Sequence, residues 1–198
     1  MMQSVEQKIE KLIKSKQRGT LLFADDFFEY GSSDAIRQAL VRLANKEIIR
    51  RVAQGIYVRP VVSSYIGEVM PTAEQVALGI AKRDKIKIVP TGSHALNKLG
   101  LSTQIPLKLV YLTDGTPREI QIGKRTIKLK KTTPKNLMAK GKISSLAIQA
   151  LKAVGQKELT EGFEKKIIQL LKKEEQKELE HDIPLAPVWI RKIMQKAL

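Results

Sequence analysis

The 198-residue sequence contains 36 Lys and Arg residues against 20 Asp and Glu residues, so its formal net charge is +16, and 42% of its residues are hydrophobic. A chain of this length and apolar content can bury the core of one or two small domains, and its positive charge favours phosphate-rich partners. Because cysteine is absent, a disulfide framework and a thiolate metal site are excluded. No apolar run approaches the roughly 20 residues of a membrane span, and the opening segment MMQSVEQKIEK lacks the apolar core of a signal peptide. We therefore expect a cytoplasmic protein without membrane contact.

The beginning of the chain predicts a helix, a strand and a helical turn. Ser4 can cap a helix in which Ile9 and Ile13 lie on one face while lysines occupy the other. The short apolar run LLF at residues 21–23 predicts one small strand, and ADDFFEYG predicts a brief helical turn that ends at Gly31. We expect the aromatic residues of this last segment to pack in a core.

The segment SSDAIRQALVRLANK, residues 32–46, predicts an amphipathic helix. Ser32 or Ser33 is a natural N-cap, and Ile36 and Leu40 belong to an apolar stripe that faces a core. The opposite face is polar, with side chains able to contact the base edges or the backbone of DNA. The candidate residues of this recognition helix are Ser32, Ser33, Arg37, Gln38 and Arg42.

The next segment, NKEIIRRVAQGIYVRP at residues 45–60, predicts a basic hairpin. Apolar residues precede and follow Gly55, where a positive φ is accessible without strain, and Pro60 ends the pairing. A winged helix-turn-helix has this order of elements: helix, strand, helical turn, polar-faced helix and hairpin. Its second helix enters the major groove of DNA while the hairpin lies along the DNA backbone. We expect residues 1–60 to form such a DNA-binding domain, with these phosphate contacts on its wing: Arg50, Arg51, Gln54 and Arg59.

Residues 61–198 predict a mixed α/β domain, which places the whole chain in the α+β class. Thr72 and Gln75 form a capping box before the helical segment AEQVALGIAKR. The segment KIKIV then predicts a strand, and PTGSHALNKLGL predicts a short helix that Gly100 ends.

The later part of this domain predicts a sheet followed by helices. The segments LKLVYLT, REIQIG and RTIKLKK, separated by turns at Asp114-Gly115 and at Gly123, predict three strands of an antiparallel meander. From about residue 136 to residue 198 the pattern predicts a helical tail. Its three predicted helices lie in ISSLAIQALKAVG, EGFEKKIIQLLKKEEQKELE and PVWIRKIMQKAL.

A family resemblance is carried by the segment PTGSHALNKLGLSTQIPLKLVYLTDGTPREIQIGKRTIKLKK, and above all by GLSTQIP followed by VYLTDG within residues 100–115. Together with the winged-helix-like start, this segment resembles the AbiEi-type antitoxins of type IV toxin-antitoxin systems, particularly their short relatives classed as a domain of unknown function. The resemblance covers most of residues 1–135, and the helical tail matches less clearly.

The resemblance implies a bacterial antitoxin that represses its own operon by binding inverted repeats of its promoter through the N-terminal winged helix. It also implies that the second domain counters a nucleotidyltransferase toxin, often without a stable complex, and that two copies meet on the DNA. On this interpretation, cations of the second domain extend the DNA-binding surface, although an ordinary lysine-rich surface explains them equally. These residues are Lys82, Arg83, Lys85, Lys87, Lys124, Arg125, Lys128, Lys130 and Lys131.

Other functions have weaker support in the sequence. GSSD and GSHALN are similar to the start of a nucleotidyltransferase site, but no Asp-x-Asp pair follows to hold magnesium. EIQ has glutamine where a Glu-x-Lys nuclease motif has lysine, and His94 and His181 have no apparent acidic partners. We therefore expect no catalytic residue, metal or cofactor. A basic RNA-binding or ribosome-associated protein, a nuclease-like enzyme and a protein-interaction module remain alternatives, with RNA disfavoured because only 5% of the residues are aromatic.

Overall fold

A computed structural model describes residues 3–198, which form a mixed α+β structure with several separate sheets. The α+β class predicted from the sequence is therefore confirmed. The chain divides into two compact units, of which one contains the residues up to Gly79 together with Ile120–Lys124, and the other contains Ile80–Glu119 and Arg125–Leu198. The first unit thus extends beyond residue 60, and the domain boundary between residues 60 and 61 stays a prediction.

The first unit begins with the elements expected from the sequence. They are helix α1 (Val5–Ser15), strand β1 (Leu21–Phe23), a 3-10 helix (Ala24–Tyr30), helix α2 (Ser33–Asn45), and strands β2 (Arg50–Ala53) and β3 (Ile56–Val58). Helix α1 starts at a capping box, in which the Gln7 N–H donates to Ser4 Oγ at 3.3 Å and the Ser4 N–H donates to Gln7 Oε1 at 2.9 Å. The strands form an antiparallel sheet in the order β1-β3-β2.

The core of this unit lies between α1, α2, the 3-10 helix and the sheet. The apolar stripes predicted for both helices are buried, while Lys8 and Lys11 on the opposite side of α1 are exposed. This segregation fixes which faces of the helices remain accessible to a ligand. The buried cluster consists of Ile9, Ile13, Leu22, Phe27, Ile36, Ala39, Leu40, Leu43, Ile49 and Tyr57.

A second hairpin that the sequence interpretation did not include follows Pro60. Strands β4 (Val61–Ser63) and β5 (Gly67–Val69) pair with each other in an antiparallel sheet of two strands. Helix α3 (Ala73–Asp84) comes next and begins at the predicted capping box, where the Thr72 N–H donates to Gln75 Oε1 at 2.8 Å and the Gln75 N–H donates to Thr72 Oγ1 at 3.2 Å.

The largest sheet has four strands in the order β6-β7-β9-β8. Its strands are β6 (Ile88–Pro90), β7 (Lys108–Thr113), β8 (Arg118–Ile122) and β9 (Arg125–Lys131), with helix α4 (Ser93–Lys98) between β6 and β7. Strand β6 is antiparallel to β7, but β7 is parallel to β9. The predicted antiparallel meander is therefore wrong, because β9 rather than β8 lies beside β7.

The turn after β7 is bonded to the segment before β6. The Lys87 N–H donates to Asp114 Oδ1 at 2.9 Å, and a Cβ added to Gly115 would lie only 2.7 Å from Ile86 Cγ2. These contacts hold the turn against the segment before β6, and the edge of β7 away from β6 is paired with β9. The two residues Gly123 and Lys124 then join β8 to β9, as tight hairpins require, and Gly123 has a φ of +54°.

The helical tail contains helices α5 (Lys142–Val154), α6 (Glu161–Leu171), α7 (Gln176–Asp182) and α8 (Val188–Gln195). The single helix predicted over EGFEKKIIQLLKKEEQKELE is wrong, since it is two helices, α6 and α7. The Glu174 N–H closes a tight turn on the Leu171 carbonyl at 3.0 Å, and the Glu174 carboxylate accepts from the Ile143 and Ser144 N–H groups at 2.6 and 2.9 Å. None of the helices within residues 3–198 has the length and apolarity needed to cross a membrane.

Candidate nucleic-acid interface

The first unit contains a groove of about 530 Å³ between the 3-10 helix, α2 and the turn of the β2–β3 hairpin. Four of the residues predicted to contact DNA line it: Ser33, Arg37, Arg51 and Gln54. Ile36, Leu40 and Tyr57 of the core cluster also reach the groove. The folded chain thus brings part of the predicted recognition helix and part of the predicted wing to one concave surface.

Local structure places these polar side chains at the groove. The Ser32 hydroxyl accepts from the Ala35 N–H at 3.3 Å, so Ser32 is the N-cap of α2 and Ser33 is its first residue. Gly55 has a φ of +69°, which allows the short turn that exposes Gln54. The register of β2 against β3 shifts between Arg51 and Ala53, and Arg51 Nε donates to the Ala53 carbonyl at 3.4 Å. Arg51 lies beside this irregularity and lines the groove.

Arg37 is the exposed cation of α2 that lines the groove. Its Nη2 lies 3.1 Å from Asp34 Oδ1 on the preceding turn of the helix, and both side chains are largely exposed. Ion pairs of this kind are weak because water screens them. The guanidinium of Arg37 can therefore exchange Asp34 for another acceptor, and the neighbouring Gln38 is also exposed.

Arg42 is not among the residues that line the groove. Its Nη1 lies 3.5 Å from Glu6 Oε2, and Lys46 Nζ lies 2.6 Å from Glu6 Oε1. The hydrogen bond from Lys46, assisted by Arg42, holds the pKa of the Glu6 carboxyl below its ordinary value. Arg42 and Lys46 thus connect α2 to α1, which gives Arg42 a structural partner that the sequence did not indicate.

Two of the predicted wing arginines also have partners within the protein. Arg50 forms ion pairs with Glu47 at 3.3 Å and with Glu68 at 2.9 Å. Arg59 Nη1 donates to the carbonyl oxygen of Lys14 at 2.9 Å and to that of Lys16. Because these carbonyls end helix α1, Arg59 stabilises its C-terminus. Arg51 is therefore the predicted wing arginine that lines the groove.

The predicted cations of the later segments differ in their surroundings. Arg83 pairs with Asp84 at 2.6 Å, and Lys128 pairs with Glu119 at 2.8 Å. Glu119 also lies 3.3 Å from Lys108 Nζ, and the hydrogen bonds from Lys128 and Lys108 hold the pKa of Glu119 below its ordinary value. Arg125 is half-buried. The remaining cations of the set are exposed: Lys82, Lys85, Lys87, Lys124, Lys130 and Lys131.

Two exposed apolar residues line the groove: the sequence interpretation missed Phe28, whereas helical spacing already places Val41 on the outward face of α2. Phe28 is 72% exposed and Val41 is also exposed, and both line the groove. Packing explains Phe27, which is buried, but it does not explain Phe28. Because Phe27 and Phe28 are adjacent in one aromatic segment, the sequence offered no signal to distinguish them.

Both histidines contact other side chains of the protein. His94 is buried with its ring centroid 5.0 Å from that of Tyr111. His181 was expected to have no acidic partner, and this is wrong, since its Nδ1 lies 2.8 Å from Asp182 Oδ1. Asp182 is fully buried and also accepts from the Gly141 N–H at 2.8 Å, so this pair belongs to the start of α5. Within residues 3–198, no three His, Asp or Glu side chains converge as metal ligands.

The sequence was compared with known families and with curated proteins. The family described as "Family of unknown function (DUF6088)" matches residues 8–179, which include parts of both compact units. No curated protein matches the sequence.

Proposed function

The chain belongs to the DUF6088 family of unknown function, and we propose that it is a DNA-binding transcriptional regulator whose first elements, α1 to β3, act as a winged helix-turn-helix. The observation that carries this proposal is the groove in which Ser33 and Arg37 of α2 face Arg51 and Gln54 of the hairpin. The groove lies in a chain whose formal net charge is +16. Such a charge favours duplex DNA through the release of counterions from phosphates.

The two sides of the groove suit two different parts of a DNA duplex, the base edges in its major groove and its phosphate backbone. An α-helix fits the major groove, where a forked guanidinium such as that of Arg37 can donate two hydrogen bonds to guanine. The exposed amide of Gln38 on the same helix suits adenine. Because a phosphate backbone borders the major groove, a duplex that meets α2 also brings phosphates to the hairpin turn. Arg51 and Gln54 then bind backbone and not bases.

A narrower proposal is that this regulator is the antitoxin of a type IV toxin-antitoxin system that represses its own operon in the cytoplasm. Its support is the resemblance of GLSTQIP and VYLTDG to AbiEi-type antitoxins. In this chain those segments serve the second unit: Asn97 Nδ2 donates to the Ser102 and Gln104 carbonyls at 3.2 and 3.0 Å, and Tyr111 and Thr113 are buried on β7. These contacts give both segments a structural role in the second unit, the unit that on this proposal counters a nucleotidyltransferase toxin.

A binding experiment tests the proposal of DNA binding. Fluorescence anisotropy would compare a duplex from the region upstream of the gene with a scrambled duplex of equal length, at several salt concentrations. We expect the upstream duplex to bind at least about a thousandfold more tightly, as specific regulators do. Equal affinity for the two duplexes would contradict sequence-specific regulation. Tighter binding of a single-stranded RNA of equal length would instead favour the RNA-binding alternative.

A further inference from the structure

The β4–β5 hairpin carries a concentration of exposed apolar side chains. Tyr65 at its tip is 95% exposed and Ile66 is 76% exposed. Val62 on β4, Val69 on β5 and the following Met70 are exposed as well. Apolar side chains concentrated on one protruding element usually mark an interaction site, whereas isolated ones are ordinary.

The backbone of the hairpin also lacks the support that such an element normally needs. Within residues 3–198, strands β4 and β5 pair only with each other, through Val61 with Val69, Val62 with Glu68 and Ser63 with Gly67. A two-stranded hairpin is marginally stable in water, and its outer edges can accept further pairing. A partner that covers the hairpin would therefore stabilise it as well as bury its side chains.

The small number of charged residues in the hairpin indicates which kind of partner it fits. Residues 60–73, PVVSSYIGEVMPTA, contain no lysine or arginine and one acidic residue, Glu68, although 28% of the whole chain is charged. Glu68 is compensated by Arg50, whose Nε lies 2.9 Å from its Oε1. An arm that binds nucleic acid or an anionic membrane needs cations, and this hairpin has none within those residues. Two copies of a chain with a net charge of +16 repel each other, and this repulsion is weakest where both surfaces are uncharged.

We propose that the β4–β5 hairpin is the surface through which two copies of this chain associate. The contact is isologous, so that Tyr65 and Ile66 of one copy pack against the same hairpin of the other. This association does not depend on the DNA-binding proposal. If both hold, it joins two DNA-binding units before they reach a palindromic site.

Sedimentation velocity of the full-length chain without DNA tests the inference, over a range of protein concentrations and at low and high salt. We expect a concentration-dependent dimer that becomes stronger as salt rises, because salt screens the repulsion between copies. Ile66→Asp and Tyr65→Asp should each weaken the dimer by roughly tenfold or more, since each variant places a charge in both halves of an apolar contact. Neither residue is buried in the monomer, so at protein concentrations at which the wild type is monomeric both variants should keep its unfolding temperature.

Ile105→Asp is the matched control, because Ile105 is 67% exposed, lies in the other compact unit and makes the same change of charge. It should leave the dimer unchanged. A wild-type chain that stays monomeric at every concentration would overturn the inference, as would equal weakening by Ile105→Asp. A monomer whose affinity for DNA falls in Ile66→Asp would also overturn it and would make the hairpin a DNA contact. Failure of DNA binding with an intact dimer would refute only the proposed function.

Discussion

Arg50 and Arg51 are neighbours on β2, and the structure predicts that they differ in their contribution to DNA binding. Arg51 lines the groove, whereas Arg50 is bound by Glu47 and Glu68. We expect Arg51→Ala to remove one phosphate contact. Arg50→Ala should remove none, because the Arg50 guanidinium already has two carboxylate partners inside the protein.

The salt dependence of binding gives the magnitude. Each phosphate contact adds about 0.9 to the slope of the logarithm of the binding constant against the logarithm of salt concentration. Between about 50 mM and about 200 mM salt, the affinity of Arg51→Ala should therefore fall roughly 3.5-fold less than that of the wild type. Arg50→Ala should keep the wild-type slope to within about 0.3, a third of the effect of one contact.

Anisotropy titrations of both variants against specific and scrambled duplexes at four or more salt concentrations would measure these slopes. Because Arg51 is exposed, its replacement should change the free energy of unfolding by less than about 0.5 kcal/mol, which thermal unfolding would check. Equal slopes for the wild type and Arg51→Ala would refute the phosphate contact. A slope that changes in Arg50→Ala as much as in Arg51→Ala would refute the distinction between the two arginines.

Three further predictions concern base selection, acid stability and toxin neutralisation. In a binding assay over single-base variants of the DNA site, Arg37→Ala should lose about 1 to 3 kcal/mol of discrimination at one base pair, whereas Arg42→Ala should keep the wild-type base preferences. A loss of discrimination confined to Arg42→Ala would show that Arg42 and not Arg37 contacts the base. Burial raises the pKa of Asp182, but the hydrogen bonds from Ser144, His181 and two backbone N–H groups outweigh this effect and hold the pKa below its ordinary value. Asp182 therefore stabilises the fold above a pH of about 3.9, and this contribution is lost as pH falls through the folded-state pKa. Asp182→Asn should therefore lower the free energy of unfolding at neutral pH by about 3 kcal/mol and flatten its acid dependence in denaturant titrations, while the exposed Glu180→Gln should do neither. Co-expression with a nucleotidyltransferase toxin encoded beside the gene should restore growth with the full chain and not with residues 1–60, and rescue by the shorter fragment would contradict a need for the second unit.

Elements that depend on neighbouring residues were predictable from the sequence. The capping boxes at Ser4 and Thr72 join groups three residues apart, and the turns at Gly55 and Gly123 need only a backbone that accepts positive φ. The apolar stripe of α2 likewise followed from helical spacing alone, and its residues are buried. The hairpin after Pro60 was missed because only Gly67 marks its turn.

Contacts between distant residues were not predictable, and they changed the candidate site most. Arg42 bonds to Glu6 across 36 positions, Arg50 bonds to Glu68 across 18, and Arg59 bonds to the Lys14 carbonyl across 45. Nothing near these arginines in the sequence distinguishes them from Arg37 and Arg51. Which of them faces a ligand depends on the carboxylates and carbonyls that folding brings beside them.

The sequence by itself determined most of the helices and strands, the excess of positive charge and the segment in which the candidate interface lies, because these follow from local spacing and composition. Only the tertiary structure decided that β9 lies parallel to β7, because strand order depends on pairing between residues far apart in the sequence, such as Lys108 with Thr126. It also decided which cations are already compensated, and that Phe28 is exposed while the neighbouring Phe27 is buried. Burial and ion pairing depend on the positions of all neighbours in space, which the local order of residues does not specify.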